Sequence, residues 1–232
     1  MINLSPAEGP VQRFGLVPET RVTRRAMIDP GKAPTSAFIE ITQPLVTPVT
    51  KALVAGDPEL AAFWEAEKRS FRYDYVMFRC TLIPAEGMPF EKAWLEVQLA
   101  PEAADKGPIA YSMAPDKIVD VKSLKDTAKI GADLKFLKAA MGTEEGREVG
   151  EYVLRAWREQ SATPYWSFNK TESTALTGTF RFHLIIRAPI EVDGSGRLTA
   201  KAVVAQRSFF IFKGEAPAGE PASLTFTLRR DG

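Results

Sequence analysis

Phe71-Arg72-Tyr73-Asp74-Tyr75-Val76-Met77-Phe78-Arg79-Cys80-Thr81-Leu82-Ile83-Pro84 is the stretch whose pattern decides the fold. Every second residue from Val76, namely Phe78, Cys80 and Leu82, falls on one face, and period two is the signature of a strand. Phe71, Tyr73, Tyr75 and Met77 fall on the other face, so this strand is apolar on both sides. Large exposed aromatic patches are rare on monomers, so the second face needs a cover or a partner. The helix that precedes it is the nearest candidate cover.

Downstream, the same period returns repeatedly. Ala93, Leu95, Val97 and Leu99 stand opposite Trp94, Glu96 and Gln98. The turn-rich run Pro84-Ala85-Glu86-Gly87-Met88-Pro89 lies between, at hairpin length. Further strands are expected at 109–113, 118–121, 130–136 and 149–157. Phe180, Phe182, Leu184 and Ile186 oppose Thr179, Arg181, His183 and Arg187. Asp193-Gly194 signals a turn into a long strand at 198–212, and Leu224, Phe226 and Leu228 mark a last one. About nine or ten strands without regular strand–helix alternation predict an all-β antiparallel β-sandwich.

Upstream, Thr47-Pro48 and Asp57-Pro58 each place a capping side chain before a proline, a helix-start pattern. The second start leads into an amphipathic helix over about 58–70, with Leu60, Phe63 and Trp64 on one side. The expected layout is a Pro-rich extended arm over 1–36, with a short strand near 12–17. A single β-sandwich domain follows over 37–232, with a helical insertion at 47–70 and a first strand at 37–42.

Composition narrows function. The 232 residues carry 30 Lys+Arg against 29 Asp+Glu, a net charge of +1, without the basic excess of a dedicated nucleic-acid binder. One Cys and one His exclude an internal disulfide, a multi-thiolate zinc site and multi-histidine metal sites. Cys80 and His183 are therefore the only thiol–imidazole pair available for nucleophilic catalysis. Strand parity separates them: Cys80 is in phase with the core, and His183 shares a face with Arg181 and Arg187, which reads as outward. No Gly-x-Ser-x-Gly elbow, phosphate-binding loop or dinucleotide fingerprint occurs. Glu144, Glu145, Glu148 and Glu151 read as a solvated loop, and no carboxylate pair is singled out for glycoside hydrolysis. No catalytic residue, cofactor or metal is expected.

The N-terminus lacks the charged and apolar regions of a secretory signal, and no segment is apolar enough for a membrane span. With an unpaired thiol, this predicts a cytoplasmic protein with no membrane or nucleic-acid partner. The expected role is a non-enzymatic protein-interaction or assembly module, with a protein partner or self-association into a homo-oligomer. Its candidate surface comprises Leu60, Phe63, Trp64, Phe71, Tyr73, Tyr75, Trp94 and Trp157. The alternative is a carbohydrate or small-ligand binder, with or without weak hydrolase activity. It would use aromatic platforms at Trp94, Trp157, Tyr165 and Trp166.

Overall fold

The computed structural model describes residues 10–16, 37–101, 106–119, 152–207, 213–217 and 222–228. Among these, thirteen strands form two antiparallel sheets, and the predicted all-β sandwich is the architecture found. The first sheet contains β1 (Val11–Leu16), β2 (Ala37–Thr42), β4 (Phe71–Ile83), β10 (Gly178–Pro189) and β6 (Ile109–Ala114), in that order. The short β3 (Leu45–Pro48) pairs with the N-terminal half of β4. The second sheet runs β12 (Lys213–Pro217), β11 (Gly194–Arg207), β5 (Phe90–Ala100), β9 (Tyr165–Asn169), β8 (Tyr152–Trp157) and β7 (Lys117–Val119). The last strand, β13 (Ala222–Leu228), pairs with the first half of β11, and β12 with the second half.

Between the sheets lies the core that the alternation predicted. Val76, Phe78, Cys80 and Leu82 meet Ala93, Leu95, Val97 and Leu99, together with Phe182, Leu184, Trp166 and Phe168, all buried. Rings bridge the layers: Trp166 and Phe182 lie 4.8 Å apart at centroids, and Phe168 and Phe180 lie 5.2 Å apart, both edge-on. The buried Trp166 indole donates to the Pro115 carbonyl at 2.9 Å, so its polar edge is satisfied.

A second, smaller core covers the outer face of the first sheet. Two helices, α1 (Lys51–Val54) and α2 (Pro58–Glu67), place Val54 and Leu60 over Tyr73, Tyr75, Met77 and Ile185. The Asp57 carboxylate caps α2 by accepting from the backbone N–H groups of Glu59 and Leu60.

Some expectations are corrected. Thr47-Pro48 starts no helix: both residues belong to β3, opposite Tyr75 and Asp74. Proline is tolerated there because a short strand lying off the main strand path makes less use of the missing N–H. Helix is confined to 51–54 and 58–67 rather than the whole of 47–70. The strand expected at 118–121 is observed over Lys117–Val119 and that at 198–212 from Gly194 to Arg207, while residues 120–121 and 208–212 lie outside the described residues. The strand expected at 130–136, the acidic residues Glu144, Glu145, Glu148 and Glu151, the start of the strand expected at 149–157 and most of the 1–36 arm lie outside the described residues. No helix among the described residues is long and apolar enough to cross a membrane.

Candidate ligand-binding face

Of the candidate residues, Leu60, Tyr73 and Tyr75 are buried in the smaller core and leave no accessible surface for a partner. The helix that precedes β4 is their cover. Phe63 and Trp64 are half-buried at the margin of that lid. The Phe63 ring sits 5.7 Å from Tyr73, and the Trp64 indole donates to the Val49 carbonyl at 3.2 Å. Phe71 is half-buried under the Arg187 guanidinium, 4.6 Å from its ring centroid. An open aromatic strip along β4 is therefore not present.

Cys80 and His183 sit on opposite faces of neighbouring strands, as their parity requires. Cys80 is paired with Phe180, and His183 with Met77. Burial pushes the Cys80 thiol up to about 12, which leaves it inert as a nucleophile near neutrality. His183 departs from expectation in one respect. It is only 7% exposed, on a face that the parity with Arg181 and Arg187 marks as outward. Burial first, and then the neighbouring Arg181, lower its pKa to about 4. Among the described residues, no three His, Cys, Asp or Glu side chains gather in a way that would hold a metal.

Trp94 and Trp157 remain, and the structure brings them to one surface. Inward residues of β5, β9 and β11 fill the main core, so their alternate neighbours form the outer face of the second sheet. Register sets the pattern. One cross-strand row reads Trp157, Tyr165, Glu96, Thr199, and the next reads Arg155, Ser167, Trp94, Lys201. Trp157 is 38% exposed and Trp94 half-buried on this face.

Cations and rings alternate at the β8–β9 end. The Arg155 guanidinium lies 5.1 Å from the Tyr152 ring and 4.3 Å from the Trp157 ring. Trp157 and Tyr165 are near-parallel with centroids 6.3 Å apart, and Arg158 lies 5.8 Å from the Tyr165 ring. The Trp157 indole N–H donates to Ser167 Oγ at 2.8 Å, which fixes the ring across the strand pair. A register irregularity where Val119 pairs with Tyr152 breaks simple alternation in β8, so that Val153 and Leu154 are both buried.

Arg158 is placed by the loop that follows β8. Arg158 and Gln160 have φ of 58° and 62°, the left-handed region that non-glycine residues occupy at a cost. Hydrogen bonds hold the loop in this form. Ser161 Oγ donates to the Arg158 carbonyl at 2.6 Å, and the Gln160 backbone N–H donates to the Ala110 carbonyl at 2.7 Å. The Gln160 side-chain amide also donates to the Tyr111 carbonyl at 2.6 Å.

Next to this row the surface dips into a shallow depression of about 350 Å³, lined by Trp94, Glu96, Arg158, Tyr165, Thr199 and Lys201. Tyr165, Arg158, Thr199 and Lys201 were absent from the predicted interaction surface, although Tyr165 was named as an aromatic platform. The alternation of β9 and β11 was enough to turn Tyr165, Thr199 and Lys201 outward. Only long-range register could bring them to Trp94.

No protein-family model matches the chain, and no curated protein matches it. Among solved structures, the chain is similar to the NetB toxin of Clostridium perfringens in its membrane-inserted form. That match covers 94% of this chain and 95% of that one, at 6% identity and a TM-score of 0.36. A likeness at that level carries no functional weight.

Proposed function

We propose that the chain is a non-enzymatic binding module whose working surface is the outer face of the second sheet, with a protein as its partner. The observation that carries this reading is the run Tyr152, Arg155, Trp157, Tyr165 and Arg158 at one end of that face. Trp, Tyr and Arg are the residue types that dominate binding energy at protein interfaces. Here they are held by neighbouring rings, a strained loop and a cross-strand hydrogen bond, so little side-chain freedom remains to be lost on association.

Sedimentation velocity and native mass spectrometry at micromolar protein test the self-association form. A concentration-dependent oligomer abolished by Trp157→Ala and by Arg155→Glu supports it. Lysine-directed cross-linking in extracts of the source cell tests a foreign partner. A defined protein cross-linked to Lys201 or Lys92, and lost with Trp157→Ala, supports it. A strict monomer whose cross-links are the same in both forms overturns the reading.

A second reading, small-ligand or carbohydrate binding, is favoured by one specific observation. The depression beside Trp94 combines ring faces with hydrogen-bonding groups in a concavity at the small end of the usual range for ligand sites.

A further inference from the structure

We propose that this depression is a saccharide subsite selective for sugars bearing a carboxylate, that is, hexuronate-containing oligosaccharides. The inference rests on the outer face being the working surface, but not on the partner being a protein.

The arrangement follows from register. Tyr165 and Thr199 flank Glu96 in one row, and Ser167 and Lys201 flank Trp94 in the next. Rings therefore occupy one diagonal, Tyr165 to Trp94, and charges of opposite sign the parallel diagonal beside it, Glu96 to Lys201. Neighbouring strands lie about 4.8 Å apart, and alternate residues along a strand about 6.8 Å apart. Two aromatic surfaces and two charged groups are thus within reach of one sugar ring or two linked rings.

Each group matches a part of a pyranose. The C–H faces of the ring are apolar and pack on the indole of Trp94 and the phenol ring of Tyr165. Sugar hydroxyls both donate and accept. Glu96 supplies acceptors, Lys201 and Arg158 supply donors, and the Thr199 hydroxyl does both. Among the described residues, Glu96 and Lys201 have no ion-pair partner, although they lie diagonally on adjacent strands. Both side chains line the depression.

Charge then selects among sugars. Two cations, Arg158 and Lys201, face one carboxylate, Glu96, so the depression carries a net positive charge. A carboxylate on the sugar complements Lys201 and Arg158, whose N–H groups form charge-assisted bonds to it. Glu96 weighs against a polyphosphate chain. A nucleic-acid strand would have to bring several phosphates past that carboxylate, whereas a uronate brings a single negative charge.

The test uses the full chain and a panel of oligosaccharides of glucuronate, galacturonate and mannuronate, each with its neutral methyl ester. A single-stranded oligothymidylate serves as the phosphate-bearing control. Binding is read by calorimetry or by ligand-observed NMR. The expected result is binding of at least one uronate oligosaccharide, with its methyl ester about tenfold weaker. Lys201→Gln shrinks that acid-over-ester preference, adding Arg158→Gln removes it, and Trp94→Ala weakens both forms by about tenfold. Trp94→Phe, which keeps a ring, retains most of the affinity, and thermal melts confirm that every variant is folded. The inference is overturned if no uronate binds at millimolar concentration, if acid and ester bind alike, or if oligothymidylate binds more tightly than any sugar. Such an outcome, alongside cross-links or oligomers still lost with Trp157→Ala, removes the saccharide subsite and leaves the binding face standing.

Discussion

The Tyr75 hydroxyl and Nδ1 of His183 lie 2.6 Å apart, diagonal partners on the β4–β10 pair. Their rings are near-parallel, with centroids 5.9 Å apart. The only imidazole of the chain is thus engaged by a buried tyrosine of the smaller core.

Acid should loosen this packing. The folded pKa of His183, about 4, lies below the ordinary 6.5, so the folded chain resists the proton that the unfolded chain accepts. Stability is unaffected by this group above the unfolded value and falls as pH drops from 6.5 toward 4. The loss amounts to roughly 3 kcal/mol at about 1.36 kcal/mol per unit. Urea melts of wild type and His183→Gln across that range check it: the variant should lose the part of the acid slope that wild type shows.

The lid itself should be sensitive to Leu60 and Asp57. Leu60 is 2% exposed within the smaller core, so Leu60→Ala should cost about 2–5 kcal/mol through the cavity left behind. Asp57→Ala, which removes the α2 cap, should cost about 1 kcal/mol. Denaturant unfolding gives both values, and Trp157→Ala in the same series should stay within about 1 kcal/mol because the residue is partly exposed.

Gly196 should tolerate no side chain. A Cβ there would sit 2.0 Å from the ring of Phe226, its direct cross-strand partner. Gly196→Ala should destabilise by about 1–3 kcal/mol through overpacking. Combining it with Phe226→Leu should recover part of that loss, a non-additivity that a double-mutant cycle measures.

Cys80 should be silent to thiol reagents in the native protein. Its raised pKa and complete enclosure leave almost no accessible thiolate near neutrality. Ellman's reagent should titrate the thiol only in denaturant. Rapid native labelling would show that the β4–β10 pair opens far more readily than its packing implies.

Local periodicity revealed the strands because burial on one face imposes period two within a few residues, as at Val76, Phe78, Cys80 and Leu82. It also placed His183 on the face opposite Phe182. Periodicity could not show that this face is buried, because that depends on what the rest of the chain packs over the sheet. Thr47-Pro48 looked like a helix start for a similar reason. The pairing with Tyr75 and Asp74 that makes it a strand joins residues far apart in the chain. The outer face was legible as isolated outward residues, Trp94 and Trp157. Its organisation required the registers of β5 with β9 and β11, and an irregular step beside Tyr152 that no alternation rule anticipates.

Both sheets are stitched from residues about 100 positions apart: β4 finds β10, and β5 finds β11. During synthesis, the apolar strands of the first half therefore emerge long before their partners exist. A nascent chain stalled midway would carry β4 with its β10 edge bare and β5 with both edges bare, open to wrong pairing with neighbouring chains. Holding such a chain apart from its neighbours until the second half arrives would fall to the cell's chaperones, and expression yield should track their supply.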